Sequence, residues 1–315
     1  MAEACTDVPT DPAAETPGRA ADLIPLILCC LIWGTTWFAI TLQLGGRPDQ
    51  AVAPVVSAAY RFAIASALLF AWLVVRRRPL GLTRPQHLAT LGQGAFMFAV
   101  NYAFVYLAEA RISSAATAVV FSALAFVNLV LFRLVFGQRT SPIGWIAAGL
   151  GVAGVAVMSF AELQRAHMDF GAWIGLGLAV TAMTGGAIGN LFAHRVHQQG
   201  VDVVVSAAWA MAYGAAFMAL GAIAGGAAWR FQMTPAYVGS LVYLSLFGSV
   251  AAFLLYFGLA RRRGWTFASY ISAITPPIAM LVSVLFEHAR WQPSALLGIA
   301  LVVAGQVLLI RQRRG

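Results

Sequence analysis

Lysine is absent from this 315-residue chain, and all 20 basic residues are arginine. Acids are scarce as well, 11 in total, so charged residues make up 10% of a chain where soluble domains carry about 25%. The missing lysine reflects composition bias and carries no functional content. Cysteine is limited to Cys5, Cys29 and Cys30. Without CxxC spacing or a secreted framework, this set excludes a disulfide scaffold and a thiolate metal site, leaving small apolar fillers. What remains is apolar: 61% of residues are hydrophobic and mean hydropathy is +0.81. Such a chain needs a lipid bilayer as its solvent. The net charge of +9 does not point to nucleic acid, because the arginines punctuate apolar runs instead of clustering on a solvated basic face.

Residues 1–20 form a polar tail with Glu3, Asp7, Asp11 and Glu15 and a single arginine. It lacks the basic start of a signal peptide, so the first apolar run is expected to stay as a membrane helix. Ten apolar segments follow, at roughly 22–43, 51–75, 86–108, 113–136, 142–160, 171–195, 201–225, 236–260, 266–287 and 293–311. Each approaches the ~20 residues needed to cross a hydrocarbon core. Pro54, Pro142, Pro235 and Pro293 lie near segment starts, where a missing N–H costs nothing. With the N-terminus taken as cytoplasmic, 14 arginines fall on the inner side and five on the outer, with Arg61 inside the second segment. The positive-inside rule then places both termini in the cytoplasm, with the bacterial inner membrane as the expected location.

The chain is duplicated. Tyr106–Ala123 and Tyr256–Ala273 share six of eighteen positions, including Tyr106/Tyr256, Arg111/Arg261 and Ser122/Ser272. Val55–Tyr60 returns as Val204–Trp209, while Pro142 and Gly154 return as Pro293 and Gly305. The expected units are 21–162 and 163–311, with 312–315 as a basic cytoplasmic end. Five segments per unit is an odd number, so the second copy enters the membrane from the opposite side. The expected fold is an all-α integral membrane protein of ten transmembrane helices arranged as two inverted-topology five-helix repeats. Secondary transporters are built this way, with a ligand site near the midplane between the repeats.

Ile32–Phe38 (Ile-Trp-Gly-Thr-Thr-Trp-Phe), Tyr60–Phe62, and the pairs Pro142…Gly154 and Pro293…Gly305 resemble motifs of the drug/metabolite transporter superfamily, EamA type. The resemblance spans roughly 22–311. It implies a ten-helix exporter or exchanger of small metabolites with a central cavity, amino-acid exporters being the nearest functional picture. Gly137-Gln138 departs from the Gly-Glu that many members carry at this point.

Ionisable residues inside a membrane are costly and usually functional. Arg61 alone lies near a midplane, either as a counter-ion for a substrate carboxylate or as a structural donor to backbone carbonyls. No Asp or Glu occupies a segment centre, since Glu109, Asp202 and Glu287 sit near ends. That disfavours exchange of a proton for a cationic drug on a buried carboxylate. His87, His167, His194, His197 and His288 also fall at boundaries.

Neutral polar and aromatic groups remain as candidate substrate contacts: Trp33, Trp37, Asn101, Tyr102, Ser122, Asn190, Tyr256 and Tyr270. Amides facing lipid would leave donors unsatisfied at a few kcal/mol, so Asn101, Asn128 and Asn190 should face helices or a cavity. Such a set suits a small zwitterionic or amphipathic ligand. Pro276-Pro277 is the candidate gating point, as proline removes a helix hydrogen bond. Gly149–Gly154 spells GxGxxG but lies inside an apolar helix, so it reads as helix packing and not as a dinucleotide site.

No cofactor or metal is expected. No HExxH, paired intramembrane Asp or deep Ser/His pair suggests an enzyme. The expected activity is export of small metabolites, amino acids favoured, by alternating access; another neutral solute or a passive pore is the alternative. The oligomeric state stays open, and a monomer is compatible.

Overall fold

In hydrocarbon every backbone N–H and C=O must find its partner within the chain, which leaves helices as the form open to apolar runs of this length. The computed structural model describes residues 19–45, 51–137, 141–165, 169–268, 271–286 and 293–312. It contains α1 (Arg19–Leu44), α2 (Pro54–Val75), α3 (Arg84–Glu109), α4 (Ser114–Phe136) and α5 (Pro142–Arg165). The second half contributes α6 (Phe170–Gln198), α7 (Val203–Ala224), α8 (Pro235–Arg263), α9 (Ile271–Phe286) and α10 (Pro293–Gln312). Seven of these are long and apolar enough to cross a membrane, and α5, α9 and α10 hold shorter apolar stretches. Described residues of the segment expected at 266–287 are helical at Trp265–Ala268 and again in α9. Arg19 and Ala20, within the tail expected at 1–20, are helical in α1.

Helix starts follow local chemistry. Thr83 begins α3 with a capping box closed by Gln86, and its repeat equivalent Thr234 accepts from Tyr237 N–H at the start of α8. Asp202 caps α7 by accepting from Val204 and Val205 N–H. Gly137 ends α4 at φ 65°, a conformation that favours glycine.

The pairing of helices gives the duplication its geometry. α2 packs along its repeat equivalent α7, and α5 along α10. α1 packs on α8 and α9, as α6 packs on α3 and α4. This exchange of partners is what a two-fold relation between inverted halves requires. Small residues make it close: Ala58, Ala59, Ala207 and Ala208 of the duplicated Val-Val-Ser-Ala-Ala stretch are buried, and Ser66 Oγ donates to Ala208 O at 2.9 Å. A Cβ on Gly154 would lie 2.6 Å from Gly298 O, and one on Gly305 would lie 2.6 Å from Ala147 O. Gly154, the last glycine of the GxGxxG spelling, therefore serves helix contact between α5 and α10, where a side chain would hold the backbones apart.

Polar pins close both ends of the bundle. At the end holding the start of α1 and the end of α10 (the terminal end), buried Asp22 pairs with Arg262 and Arg263 of α8. At the far end, Ser57 bonds Tyr237 and Ser114 bonds Ser283, each at 3.0 Å.

One shared feature leaves no trace in composition. α3 widens into a π-helix over Gly94–Val100, and α8 does the same over Leu244–Ala251, 150 residues on. π segments are rare and recur at functional sites. The first contributes Met97 to the wall of the cavity described next, and the second holds a wall residue, Trp33, through Gly248 O.

Candidate functional site

Three helices of each half, α1, α3 and α4 with their equivalents α6, α8 and α9, enclose a cavity of about 70 Å³. That is room for several waters, at about 10–15 Å³ for each water-sized sphere. α1 contributes Trp33, Thr36, Trp37 and Ile40, which recur at i, i+3, i+4 and i+7 and so share one face. The turn that ends the π segment of α3 contributes Met97, Asn101 and Tyr102. α6 presents Gly186 and Asn190, and α8 presents Phe253 and Tyr256.

Six of the eight sequence-derived candidates thus meet at one place: Trp33, Trp37, Asn101, Tyr102, Asn190 and Tyr256. Ser122 does not join them. It is wholly buried and donates to Val119 O at 2.6 Å, because α4 tightens there into i→i−3 bonds before resuming at Leu124. Its repeat equivalent Ser272 does reach the wall, with Thr275 beside it. Tyr270 lies outside the described residues. At Pro276-Pro277 helix α9 continues from Ile271 to Phe286, Pro276 buried and Pro277 half-buried. Phe121, Phe253 and Met97 were not singled out in the sequence, since an apolar residue in an apolar helix carries no mark of which face it takes.

The wall is aromatic and neutral. Trp33 meets Phe253 at 5.2 Å and Tyr256 at 5.3 Å between ring centroids, and Trp37 meets Phe121 at 5.1 Å. Trp33 Nε1 donates to Gly248 O (3.2 Å), a carbonyl within the second π segment. Among the described residues, no acid, arginine or histidine lines the cavity. Two buried polar atoms on it have no hydrogen-bond partner: the Trp37 indole N–H and Asn101 Oδ1. Leaving such groups unmade costs about 1–3 kcal/mol each, so one donor and one acceptor stand ready for a ligand. Among the described residues no group of three His, Cys, Asp or Glu is placed to hold a metal ion.

One hydrogen bond occurs twice around the cavity. Toward the far end Tyr106 O–H of α3 donates to Gln43 Oε1 of α1 (2.7 Å). Toward the terminal end Tyr256 O–H of α8 donates to Asn190 Oδ1 of α6 (3.2 Å), and Asn190 Nδ2 donates to Asn128 Oδ1 of α4 (3.2 Å). Tyr106 and Tyr256 are repeat equivalents on equivalent helices, and their partners lie on the equivalent helices α1 and α6. The duplicated tyrosine thus latches the bundle on opposite sides of the cavity.

A two-repeat helical bundle around a central cavity has a counterpart among family models: that of the EamA-like transporter family matches residues 23–160 and again 173–311. The chain belongs to the EamA-like transporter family. EamA-like relatives match over most of their length. An "uncharacterized inner membrane transporter YedA" of Escherichia coli is 28% identical over 84% of this chain and 83% of its own. A "probable terminal-alkyne amino-acid exporter" of Streptantibioticus cattleyicolor is 27% identical over 92% and 93%. Protein PagO of Salmonella typhimurium is 25% identical over 89% and 90%. A solved crystal structure overlays with a TM-score of 0.69 across 94% of this chain and 99% of its own, at 19% identity, which supports the same fold. The EamA-like chain described here is therefore a transporter, built as ten membrane helices in two inverted five-helix repeats.

Proposed function

We propose that this EamA-like transporter exports small zwitterionic metabolites, amino acids foremost, across the bacterial inner membrane by alternating access, with both termini in the cytoplasm. The observation that carries the reading is the pair of unpartnered atoms in an otherwise aromatic cavity. Trp37 N–H offers a bond to a carboxylate oxygen, and Asn101 Oδ1 accepts one from an ammonium. The faces of Trp33, Tyr102 and Tyr256 suit an ammonium or an apolar side chain. A phosphorylated ligand would call for several cationic donors on the wall. Among the described residues the lining holds no acid, which speaks against coupling through a cavity carboxylate and favours exchange-like or downhill transport. Residues 21–162 and 163–311 are read as the two moving units, with 1–20 and 312–315 as cytoplasmic ends. The amino-acid exporter among the relatives supports the substrate class, and one chain supplies the whole cavity.

Intrinsic fluorescence tests the site directly, because Trp33 and Trp37 are both in the wall. Titrating the purified protein with L-phenylalanine should give a saturable change that Trp37→Phe weakens. A flat or non-saturating response to every amino acid would remove the substrate class and favour another neutral solute or a pore.

A further inference from the structure

Arg61 is only 1% exposed, the largest fully buried side chain of α2. It lies about 10 Å along the helix from Pro54, at 1.5 Å per residue. Nε donates to Ser249 Oγ at 2.9 Å on the π segment of α8. The guanidinium carbon stands 4.7 Å from the Tyr102 ring centroid and 5.1 Å from that of Phe62. The hydroxyls of Tyr102 and Tyr106 also lie within its electrostatic reach. A serine hydroxyl and ring faces replace part of the lost hydration, but none brings a negative charge. Nη1 has no acceptor.

Two ion pairs join Asp22 to Arg262 and Arg263, at the terminal end. Glu109, the buried acid of α3, lies within electrostatic reach of Tyr106 and follows Tyr102 by a further ~10 Å of helix. A buried guanidinium with a donor left unmade is expensive to keep, and ionisable groups at membrane depth mark substrate paths.

Its position fits such a path. Tyr102, on which it stacks, lines the cavity, and so does Thr36. Arg61 Nη2 and the Thr36 methyl flank the same space over Gly248, at 3.1 and 2.8 Å from where a Cβ would stand. The guanidinium is thus one side chain behind the wall, on the far-end side of the cavity.

We infer that Arg61 is the charge-selecting residue of this cavity. It receives the carboxylate of the substrate on Nη1, with the Tyr102 ring as the movable cover between them. This rests on the amino-acid reading above and deepens it. Trp37 supplies a first neutral hydrogen bond, and Arg61 meets the charge, its planar fork being suited to a carboxylate. Ligands that keep the carboxylate are accepted, and organic cations lacking one are turned away.

Three probes separate the possibilities with purified full-length protein in lipid nanodiscs: L-phenylalanine, N-acetyl-L-phenylalanine, which keeps only the carboxylate, and L-phenylalaninamide, which lacks it. Binding is read by tryptophan fluorescence and by thermal stabilisation. The wild type should bind the first two and bind the amide at least about tenfold more weakly, tenfold being ~1.4 kcal/mol. Arg61→Lys should keep that order and Arg61→Gln should flatten it, a change of ratio that a merely structural arginine would not give. Equal binding of acid and amide by the wild type overturns the role of Arg61 while leaving the amino-acid reading standing, and this arm needs no variant to fold. A ratio that survives in Arg61→Gln overturns it too. Failure of all three probes removes the amino-acid reading and the selector with it.

Discussion

Removing one hydroxyl from each tyrosine latch should push the transporter in opposite directions. Tyr256→Phe deletes the bond to Asn190 Oδ1 at the terminal end, and Tyr106→Phe deletes the bond to Gln43 Oε1 at the far end. Both bonds are made in this structure, with Tyr106 fully buried and Tyr256 3% exposed, so each loss weakens closure on its own side. Hydrogen bonds between membrane helices average about 0.6 kcal/mol and reach about 1.7. Each variant should therefore shift the ratio of open to closed on its side by roughly 3- to 20-fold. The terminal-end bond is longer and shares Asn190 with Asn128, so its effect belongs at the lower end. The assay places a cysteine at Ser272, on the cavity wall, in a protein whose three native cysteines are replaced. A membrane-impermeant maleimide is then applied from either side of oriented vesicles. Tyr256→Phe should speed labelling from the terminal side and Tyr106→Phe from the far side. A shift to the same side in both variants, or none in either, would refute the symmetric-latch reasoning.

Other substitutions separate packing from function. Gly154→Ala puts a Cβ 2.6 Å from Gly298 O and should cost about 1–3 kcal/mol, seen as a lower unfolding temperature in detergent. Asp22→Asn removes both pairs to the arginines ending α8. As those arginines are partly exposed, stability should fall by no more than about 1 kcal/mol, and the difference should shrink at high salt. Ser122→Ala should leave substrate affinity unchanged, because that hydroxyl serves its own helix. Its repeat equivalent changed in the same way, Ser272→Ala, should alter affinity, as measured by competition binding.

Ten helices and their duplication were legible because hydropathy and offset are properties of composition and order. Several features of the site were not. Six candidates could be named from polarity in an apolar background, yet Met97, Phe121 and Phe253 look like any lipid-facing residue until a face is assigned. Ser122 misled because it is identical to Ser272 in the repeat, whereas the chain around it tightens into short bonds that sequence identity does not reveal. The π segments of α3 and α8 were invisible for a related reason. One extra residue in a helical turn changes hydrogen bonding without changing residue type. Pro276-Pro277 is named as a gating point from chemistry alone, and both prolines lie inside α9. The repeated tyrosine shows the duplication in sequence, but its partners Gln43 and Asn190 are set by the folded helices.

The most direct measurement is counterflow in proteoliposomes loaded with unlabelled L-phenylalanine and challenged with the radiolabelled form outside. Saturable, transient accumulation of label is expected from the wild type. Asn101→Ala and Trp37→Phe should each reduce it at least about tenfold, the order of effect for a lost bond to a charged group. Absence of counterflow, a flux that never saturates, or undiminished transport by both variants would contradict an exchange cycle through this cavity.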